Sequence, residues 1–444
     1  MPAAQTVRNA ELRADTAAQS VTAAFGGRLF GIPGTHLGAI RAPSPLPRGA
    51  GTWHYWWQAH YVDVLVDTGL RTRLPLAGED PIRLADTLIR TIRLRNGGRS
   101  TNSFYDDMAW LALAALRLDS LPGPPRGSKP RHQHLRETLG SALRSAHTPD
   151  FGGGLYWNRS RTFKNTPATA PAALYFARGG ERERAQALVD WLNEVLLDPA
   201  TGLYFDGVRM AGGQPLVETT HYTYNQGPVL GALLELGGSA NLDRAAELVR
   251  ATAAHLVYDD DGGTPHPPGT PEIGPDDGAA EVGADGGTPL PPGIPEIGPD
   301  DGAALPSTPH HTAQDTQLRG TPMQPDTPMQ PGTPLLRTHG SGDGGLFTGI
   351  LCRYLAEAAA APTLDRQTRQ LAGGLVTELA DRLWKGRATR NNLALFSPDP
   401  RKTADETYPA GTGVELSTQL QAWMVLEASV RVARLDGGFQ DEAP

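Results

Sequence analysis

Apolar residues recur at three-to-four spacing along many stretches of this chain, the pattern of helices that bury one side against a shared core. Twelve such segments are predicted, over 6–24, 55–69, 80–95, 104–118, 130–146, 166–177, 181–195, 222–236, 240–256, 344–360, 364–384 and 413–434. No convincing alternation of apolar and polar residues predicts a strand in competition with them. Local punctuation marks several of the boundaries. Asp80-Pro81 and Thr166-Pro167 read as a cap followed by a proline start, while Gly69, Gly179 and Gly237 follow apolar runs where helix stops belong.

Twelve helices make six hairpins, and hairpins that each bury an apolar stripe can close as an inner and an outer ring without leaving a raw edge. The predicted fold class is therefore all-α, an (α/α)6 toroid. It takes in residues 1–258 and 338–436 as a single domain, followed by a short tail over 437–444. The connections alternate between short links and longer segments rich in aromatic and amide residues, notably 148–165 and 197–221. A site is expected on the longer ones.

Residues 259–337 do not fit this pattern. They are mostly Pro, Gly, Asp and Thr, and they repeat: Gly263 to Gly278 recurs from Gly287 to Gly302, changed only at His266/Leu290 and Thr270/Ile294. Thr321-Pro322-Met323-Gln324-Pro325 then recurs from Thr327. These repeats lack the apolar face that a stacking solenoid needs, so a disordered insertion between two helices, dispensable for folding, is expected. Asp259-Asp260-Asp261-Gly262 lacks the alternating ligand spacing and the closing Glu of an EF-hand loop, so calcium binding is not expected there.

Composition adjusts this picture in a few places. The 52 glycines and 39 prolines among 444 residues are unevenly placed, so the ordered part is more apolar than the overall 39% suggests. Net charge is −8, with no run of Lys or Arg long enough to follow a phosphate backbone, which argues against nucleic-acid binding. The single cysteine, Cys352, excludes an internal disulfide and a multi-cysteine zinc site, and its apolar surroundings suit a buried structural thiol. Neither a secretory apolar region nor a run of about 18 apolar residues is visible, so a cytoplasmic protein without a membrane partner is expected. No metal or cofactor is implied.

The candidate chemistry sits at one helix start, Asn102-Ser103-Phe104-Tyr105-Asp106-Asp107-Met108-Ala109-Trp110. Acids there accept free backbone N–H groups and complement the helix dipole, and from spacing alone capping is the simpler account of Asp106 and Asp107. The flanking Tyr105 and Trp110 weaken it, because capping does not need aromatics and a sugar platform does. Neighbouring residues on a helix point about 100° apart, yet both carboxyls can reach one cleft. Glycoside hydrolysis uses such a pair, one acid protonating the leaving oxygen and the other stabilising or attacking the anomeric carbon, with a gap of about 5–5.5 Å for retention. Two close carboxylates also resist double ionisation, which raises one pKa toward that of a general acid.

The segment Tyr105-Asp106-Asp107-Met108-Ala109-Trp110-Leu111 closely resembles the signature of glycoside hydrolase family 76, the α-1,6-mannanases. Five further blocks resemble that family in its order: Tyr55-Trp56-Trp57-Gln58-Ala59-His60, Gly153-Gly154-Leu155-Tyr156-Trp157, Phe163-Lys164-Asn165-Thr166-Pro167-Ala168, Tyr222-Thr223-Tyr224-Asn225-Gln226-Gly227 and Ser417 to Met424. The resemblance implies the same helical toroid, an endo-acting α-1,6-mannanase with a mannan or manno-oligosaccharide substrate, and retention of configuration with Asp106 as nucleophile and Asp107 as acid/base. It also implies that Asp206 holds a sugar hydroxyl and that Asn165, Tyr224, Asn225 and Gln226 bind substrate. Trp57 is a platform candidate and His60 a structural one. Tyr156 and Trp157, beyond the Gly152-Gly153-Gly154 hinge, are the leading candidates for stacking on a pyranose. The family commonly shows Phe-Lys-Gly-Ile before an Arg-Tyr, whereas this chain reads Phe347-Thr348-Gly349-Ile350 with Arg353-Tyr354, which leaves Phe347 as a substrate contact and puts substrate length preference in doubt.

Two rival readings remain open at this point. An Asp-Asp pair opening a helical protein is also similar to the magnesium-binding acids of terpene synthases, although no third acid follows at the required spacing. The aromatic blocks alone would also suit a glycan-binding toroid without catalysis.

Overall fold

The computed structural model describes residues 3–44, 46–72, 74–121, 131–258 and 334–438. All twelve predicted helices are present among them. They are Ala3–Phe25 (α1), Tyr55–Arg71 (α2), Pro81–Arg95 (α3), Tyr105–Asp119 (α4), Gln133–Ala146 (α5), Thr166–Arg178 (α6), Arg182–Trp191 (α7, continued by a π turn to Leu196), Thr223–Leu236 (α8), Ser239–His255 (α9), Gly344–Ala359 (α10) and Arg366–Lys385 (α11). A single-turn helix, Ala404–Thr407 (α12), precedes the last one, Leu416–Gly438 (α13). Four residues are too few for periodicity to register α12, but its capping box of Thr403 and Glu406 is visible in the sequence.

Burial divides these helices into two sets. Fourteen of the 16 residues of α10 and twelve of the 13 of α6 are buried, against four of the ten in α7 and six of the 17 in α9. A helix buried on every side has to be enclosed by others. Accordingly α2, α4, α6, α8, α10 and α13 pack each on the next, and α13 packs back on α2. Each carries an outer helix: α3 on α2, α5 on α4, α7 on α6, α9 on α8, α11 on α10 and α1 on α13.

The inner six all run in one direction, since an outer helix returns the chain between each of them. First turns therefore meet first turns. Trp57 of α2 reaches Asp343 at the start of α10, and Gly345 of α10 lies against Ser417 of α13. Toward the other end Arg178 in the last turn of α6 pairs with Glu357 in the last turn of α10 at 2.8 Å, and Arg71 at the end of α2 pairs with Glu427, midway along the longer α13, at 2.7 Å. Six partly positive helix N-termini thus share one end of the bundle. Toward the opposite end the buried Arg353 and the half-buried Arg117 pair with Asp63 and Asp67, with Arg353 at 2.5 and 2.7 Å from them. An open cavity of about 390 Å³ at that end is lined by Arg117, Arg178, Glu235, Glu357 and Arg431, charges already engaged with acids or arginines in ion pairs.

Several boundary expectations need correction. Asp80 does cap α3, accepting from the N–H groups of Ile82 and Arg83, but the cap of α6 is Asn165, one residue earlier than Thr166. Gly69 does not stop α2. It sits inside the helix where a Cβ would strike the Ile82 side chain, so it is small for packing, and Thr72 is the C-cap. Gly237 ends α8 with φ +62° and Gly179 is the C-cap of α6, both as expected, and the left-handed residue after α6 is Gly180.

Strands are also present, contrary to expectation. Phe163–Asn165, Gly207–Ala211 and Gln214–Glu218 form a three-stranded antiparallel sheet, whose hairpin turns at Gly212-Gly213, both at positive φ. The outer part of the hairpin is exposed on both faces, so no apolar alternation announces it; the Gly-Gly pair was its one sequence signal. At the insertion, residues 334–337 belong with the helical body. Leu336 is fully buried and bridges to Val257, and Tyr258 N donates to Leu335 O at 2.9 Å. The rest of the predicted insertion, 259–333, lies outside the described residues, as does the tail beyond 438.

Candidate active site

Asp106 and Asp107 open α4 at the end where the inner helices begin, and neither is its cap. The N-cap position is Phe104, which has no side-chain oxygen, and its N–H is taken by Asn102 Oδ1 at 3.0 Å. The same Asn102 donates through Nδ2 to Asp107 Oδ2. Asp106 Oδ2 accepts from Trp157 Nε1 at 3.0 Å, and its Oδ1 is buried without a partner. The two acids thus have different neighbours although they are adjacent in the chain.

Their protonation differs accordingly. Burial raises Asp106 to about 7, opposed by the N–H of Asp107 and the Trp157 indole and assisted by the charge of Asp343. Burial raises Asp107 well above the usual carboxylate range, and the Asp106 charge adds to it, with the Asn102 donor opposing. Asp106 is the better supplied with donors and is half-buried, while Asp107 is only 7% exposed. Asp107 is therefore the acid that keeps its proton. The converging helix N-termini favour ionisation of both, but desolvation outweighs them.

Around the pair stands an aromatic ring drawn from several elements. Trp157 is 37% exposed and packs on Phe104 and Phe163, so the sheet steadies it beside Asp106. Tyr224 of α8 is stacked on Phe347 of α10 at 3.9 Å and 12°, and the charges of Asp206, Asp106 and Asp343 all bear on its hydroxyl. Asp206 accepts from Asn225 Nδ2 at 3.1 Å, and burial raises it to about 6. Asn225 Oδ1 has no partner, so this amide has an unused acceptor. Asp106, Asp107, Trp157, Asp206, Tyr224, Asn225 and Phe347 are therefore brought together.

The remaining candidates are placed differently. Gln226 is fully buried, with Oε1 accepting from Tyr204 N and Nε2 donating to Tyr204 O and Tyr222 O, which clasps the 197–221 loop to α8. Asn165 is spent as the α6 cap. Tyr156 donates its hydroxyl to Asp150 at 2.9 Å and covers Lys164, whose ammonium holds the carbonyls of Thr148, Asp150 and Gly153. The glycine hinge before it is packed on Trp191, where a Cβ at Gly154 would lie 2.5 Å from the ring. Tyr105 and Trp110 are buried, Trp110 against His60. Trp57 is 2% exposed and its indole nitrogen is held by Asp343, so it presents no open platform; the half-buried indole of α2 is Trp56, one residue and about 100° around. His60 lies between Trp56 and Trp110 and is held neutral by burial, and neither of its buried ring nitrogens has a hydrogen-bond partner. Cys352 is fully buried.

Sequence reasoning missed Asn102 and Asp343. Asn102 carries a readable signal, an Asx residue two before the N-cap of a helix. Asp343 carries none, since only folding brings α10 to α2. Thr348, where the family commonly has lysine, is buried and donates to Arg337 O at 2.8 Å, tying α10 to the segment before it. Among the described residues no group of three or more His, Cys, Asp or Glu is arranged to hold a metal ion, and no helix is long and apolar enough to cross a membrane.

The model of glycosyl hydrolase family 76 matches residues 10–264, more than half of the chain. The chain belongs to glycoside hydrolase family 76. Its fold is shared with solved members: an inactive variant of the α-1,6-mannanase GH76A of Salegentibacter sp. HEL1_6 in complex with α-1,6-mannotriose is 22% identical, with a TM-score of 0.67 over 95% of this chain and 99% of that one. The family 76 mannosidase Bt3792 of Bacteroides thetaiotaomicron is 16% identical, with a TM-score of 0.63 over 96% and 99%. Dfg5 of Chaetomium thermophilum, in complex with glucosamine, is 15% identical, with a TM-score of 0.60 over 96% and 90%. No curated protein sequence matches the chain.

Proposed function

We propose that this family 76 protein hydrolyses α-1,6-mannosidic linkages in mannan or manno-oligosaccharides with retention, and that its closed cycle of helices is an (α/α)6 toroid. The observation that carries the reading is the pair Asp106 and Asp107, adjacent in the chain yet differently surrounded, Asp106 half-buried and accepting from Trp157 Nε1 at 3.0 Å, Asp107 buried and accepting from Asn102 Nδ2. In the first step the Asp106 carboxylate attacks the anomeric carbon while Asp107 gives its proton to the glycosidic oxygen. The C–O bond breaks, its electron pair stays with the protonated leaving oxygen, and a mannosyl ester forms on Asp106. Asp107, now a carboxylate, takes a proton from water as that water attacks the anomeric carbon and releases Asp106. Inversion twice at one carbon gives retention.

Substrate recognition falls to Trp157 and the Tyr224–Phe347 stack as apolar faces and to Asp206, held by the buried Asn225, as hydrogen-bonding group. The inactive relative in complex with α-1,6-mannotriose supports the linkage. The test is product analysis on α-1,6-mannotetraose, with the first-formed anomer followed by NMR. Release of the α-anomer by the wild-type protein, lost in Asp106→Asn and Asp107→Asn variants that still fold, is expected. Full activity in both variants would overturn the site, and binding of the tetrasaccharide without cleavage would favour a glycan-binding role.

A further inference from the structure

The ribbon that carries Trp157 has two faces, and only one of them meets the acids. Tyr156 bridges antiparallel to Lys164, and Trp157 N donates to Phe163 O at 2.8 Å. Side chains alternate along paired strands, so Trp157 and Phe163 share the front. There their rings meet edge-on at 6.4 Å and 84°, and the indole donates to Asp106 Oδ2 at 3.0 Å. Tyr156 and Lys164 share the back, with the ammonium 4.7 Å from the ring centre. Lys164 is fully buried there, and its three donors reach three backbone carbonyls of one turn, Thr148 O at 2.8 Å, Asp150 O at 2.7 Å and Gly153 O at 2.6 Å. The turn is tightly coiled: Phe151, Gly152, Gly153 and Gly154 follow one another at φ +54°, +81°, +143° and +71°. Tyr156 is tied to the same turn through its hydroxyl, which donates to Asp150 at 2.9 Å.

Carbonyl dipoles that converge on one buried point repel each other and lack solvent, unless a donor sits between them. Lys164 is that donor. We propose that Lys164 is a positioning residue of the reaction, whose ammonium gathers the 148–153 turn behind the ribbon and thereby holds Trp157 where its indole N–H meets Asp106. Without it the turn opens toward water and Tyr156 loses the group it covers. Trp157, next in the chain, then keeps its contacts with Phe104 and Phe163 but not the fixed backbone behind them. The inference rests on Asp106 being the nucleophile, since a displaced indole leaves that carboxyl with fewer donors and less of it ionised.

The variant Lys164→Ala removes the atoms of a propylammonium ion, so that ion is the probe added back. With α-1,6-mannotetraose at pH 6, K164A should lose about tenfold in kcat/KM, the scale of one pKa unit on Asp106, and less than about twofold in the W157F background, because two changes on one path do not add. Propylammonium chloride should restore most of the loss, and tetramethylammonium chloride, which has no N–H, should not. In parallel, the Trp157 indole ¹Hε1 resonance, assigned by its absence in W157F, should move toward the position of a free indole in K164A and return with propylammonium. If K164A does not fold, Tyr156→Leu, which keeps the lysine but bares it, carries the same two readouts. Wild-type protein that does not cleave the tetrasaccharide defeats the hydrolase reading alone, because the indole resonance still reports the link from Lys164 to Trp157. An unmoved indole resonance, or a loss as large in the W157F background as in wild type, overturns the role of Lys164.

Discussion

Replacing Trp157 by phenylalanine keeps an aromatic ring in the site but removes the indole N–H donor. The indole Nε1 donates to Asp106 Oδ2 at 3.0 Å and is one of the groups opposing the rise of that carboxyl, which burial brings to about 7. A hydrogen bond to an ionised group contributes about 1.5–3 kcal/mol, or about 1–2 pKa units at 1.36 kcal/mol each. Without the donor Asp106 should titrate near about 8–9. The nucleophile works as a carboxylate, and below its pKa each unit removes tenfold of that form. Trp157→Phe should therefore lose about 10- to 100-fold in kcat/KM at pH 6, and the loss should shrink as pH rises. The assay is the pH profile of kcat/KM on α-1,6-mannotetraose, with thermal unfolding as control; Trp157 is 37% exposed, so little packing is lost. A loss of equal size at every pH, or an acid limb that does not move, would refute the argument that this indole sets the charge on Asp106.

Three other outcomes are expected. Asp106→Asn should stabilise the protein at pH 8 and do little at pH 4: the folded carboxyl titrates at about 7 and the unfolded one near about 3.9, so its ionisation opposes folding as pH rises through that window, by on the order of 2–4 kcal/mol, readable as a higher urea midpoint. Arg117→Ala should cost about 3–5 kcal/mol, because Asp63 and Asp67 would share Arg353 alone while remaining buried. Burial raises Asp67, and Arg117 and Arg353 more than reverse this to about 2, so its stabilisation is present above about pH 4 and lost as pH falls toward 2; the acid-unfolding midpoint of the variant should move upward. Gln226→Ala should lower the melting temperature, since it orphans buried Tyr204 and Tyr222 backbone groups at about 1–3 kcal/mol each, and an unchanged melt would show that the 197–221 loop holds without the clasp.

The twelve helices and the acids at the start of α4 were legible along the chain because each signal lies within a turn or two of itself: an apolar period, Asp80 before Pro81, an aromatic-flanked Asp-Asp. The use of each polar side chain was not. Asn165, Gln226 and Tyr156 looked the same in sequence as Asn225, Tyr224 and Trp157, yet the first three are spent on a cap, a loop clasp and an aspartate, and the others surround the acids. Nor did the sequence single out Asp63 and Asp67, one helical turn apart in α2, because only folding brings Arg117 and Arg353 to them.

By itself the sequence determined the helices, their pairing into hairpins and the Asp106-Asp107 helix start, since these follow from backbone period, capping and neighbours in the chain. Only the tertiary structure decided which indole stays open, which amide keeps an unused acceptor and that Asp343, far along the chain from Trp57, takes its indole N–H. Closure of the helices on one another sets those distances, and the strength of a charge or hydrogen bond depends on distance and desolvation, neither of which a linear pattern carries.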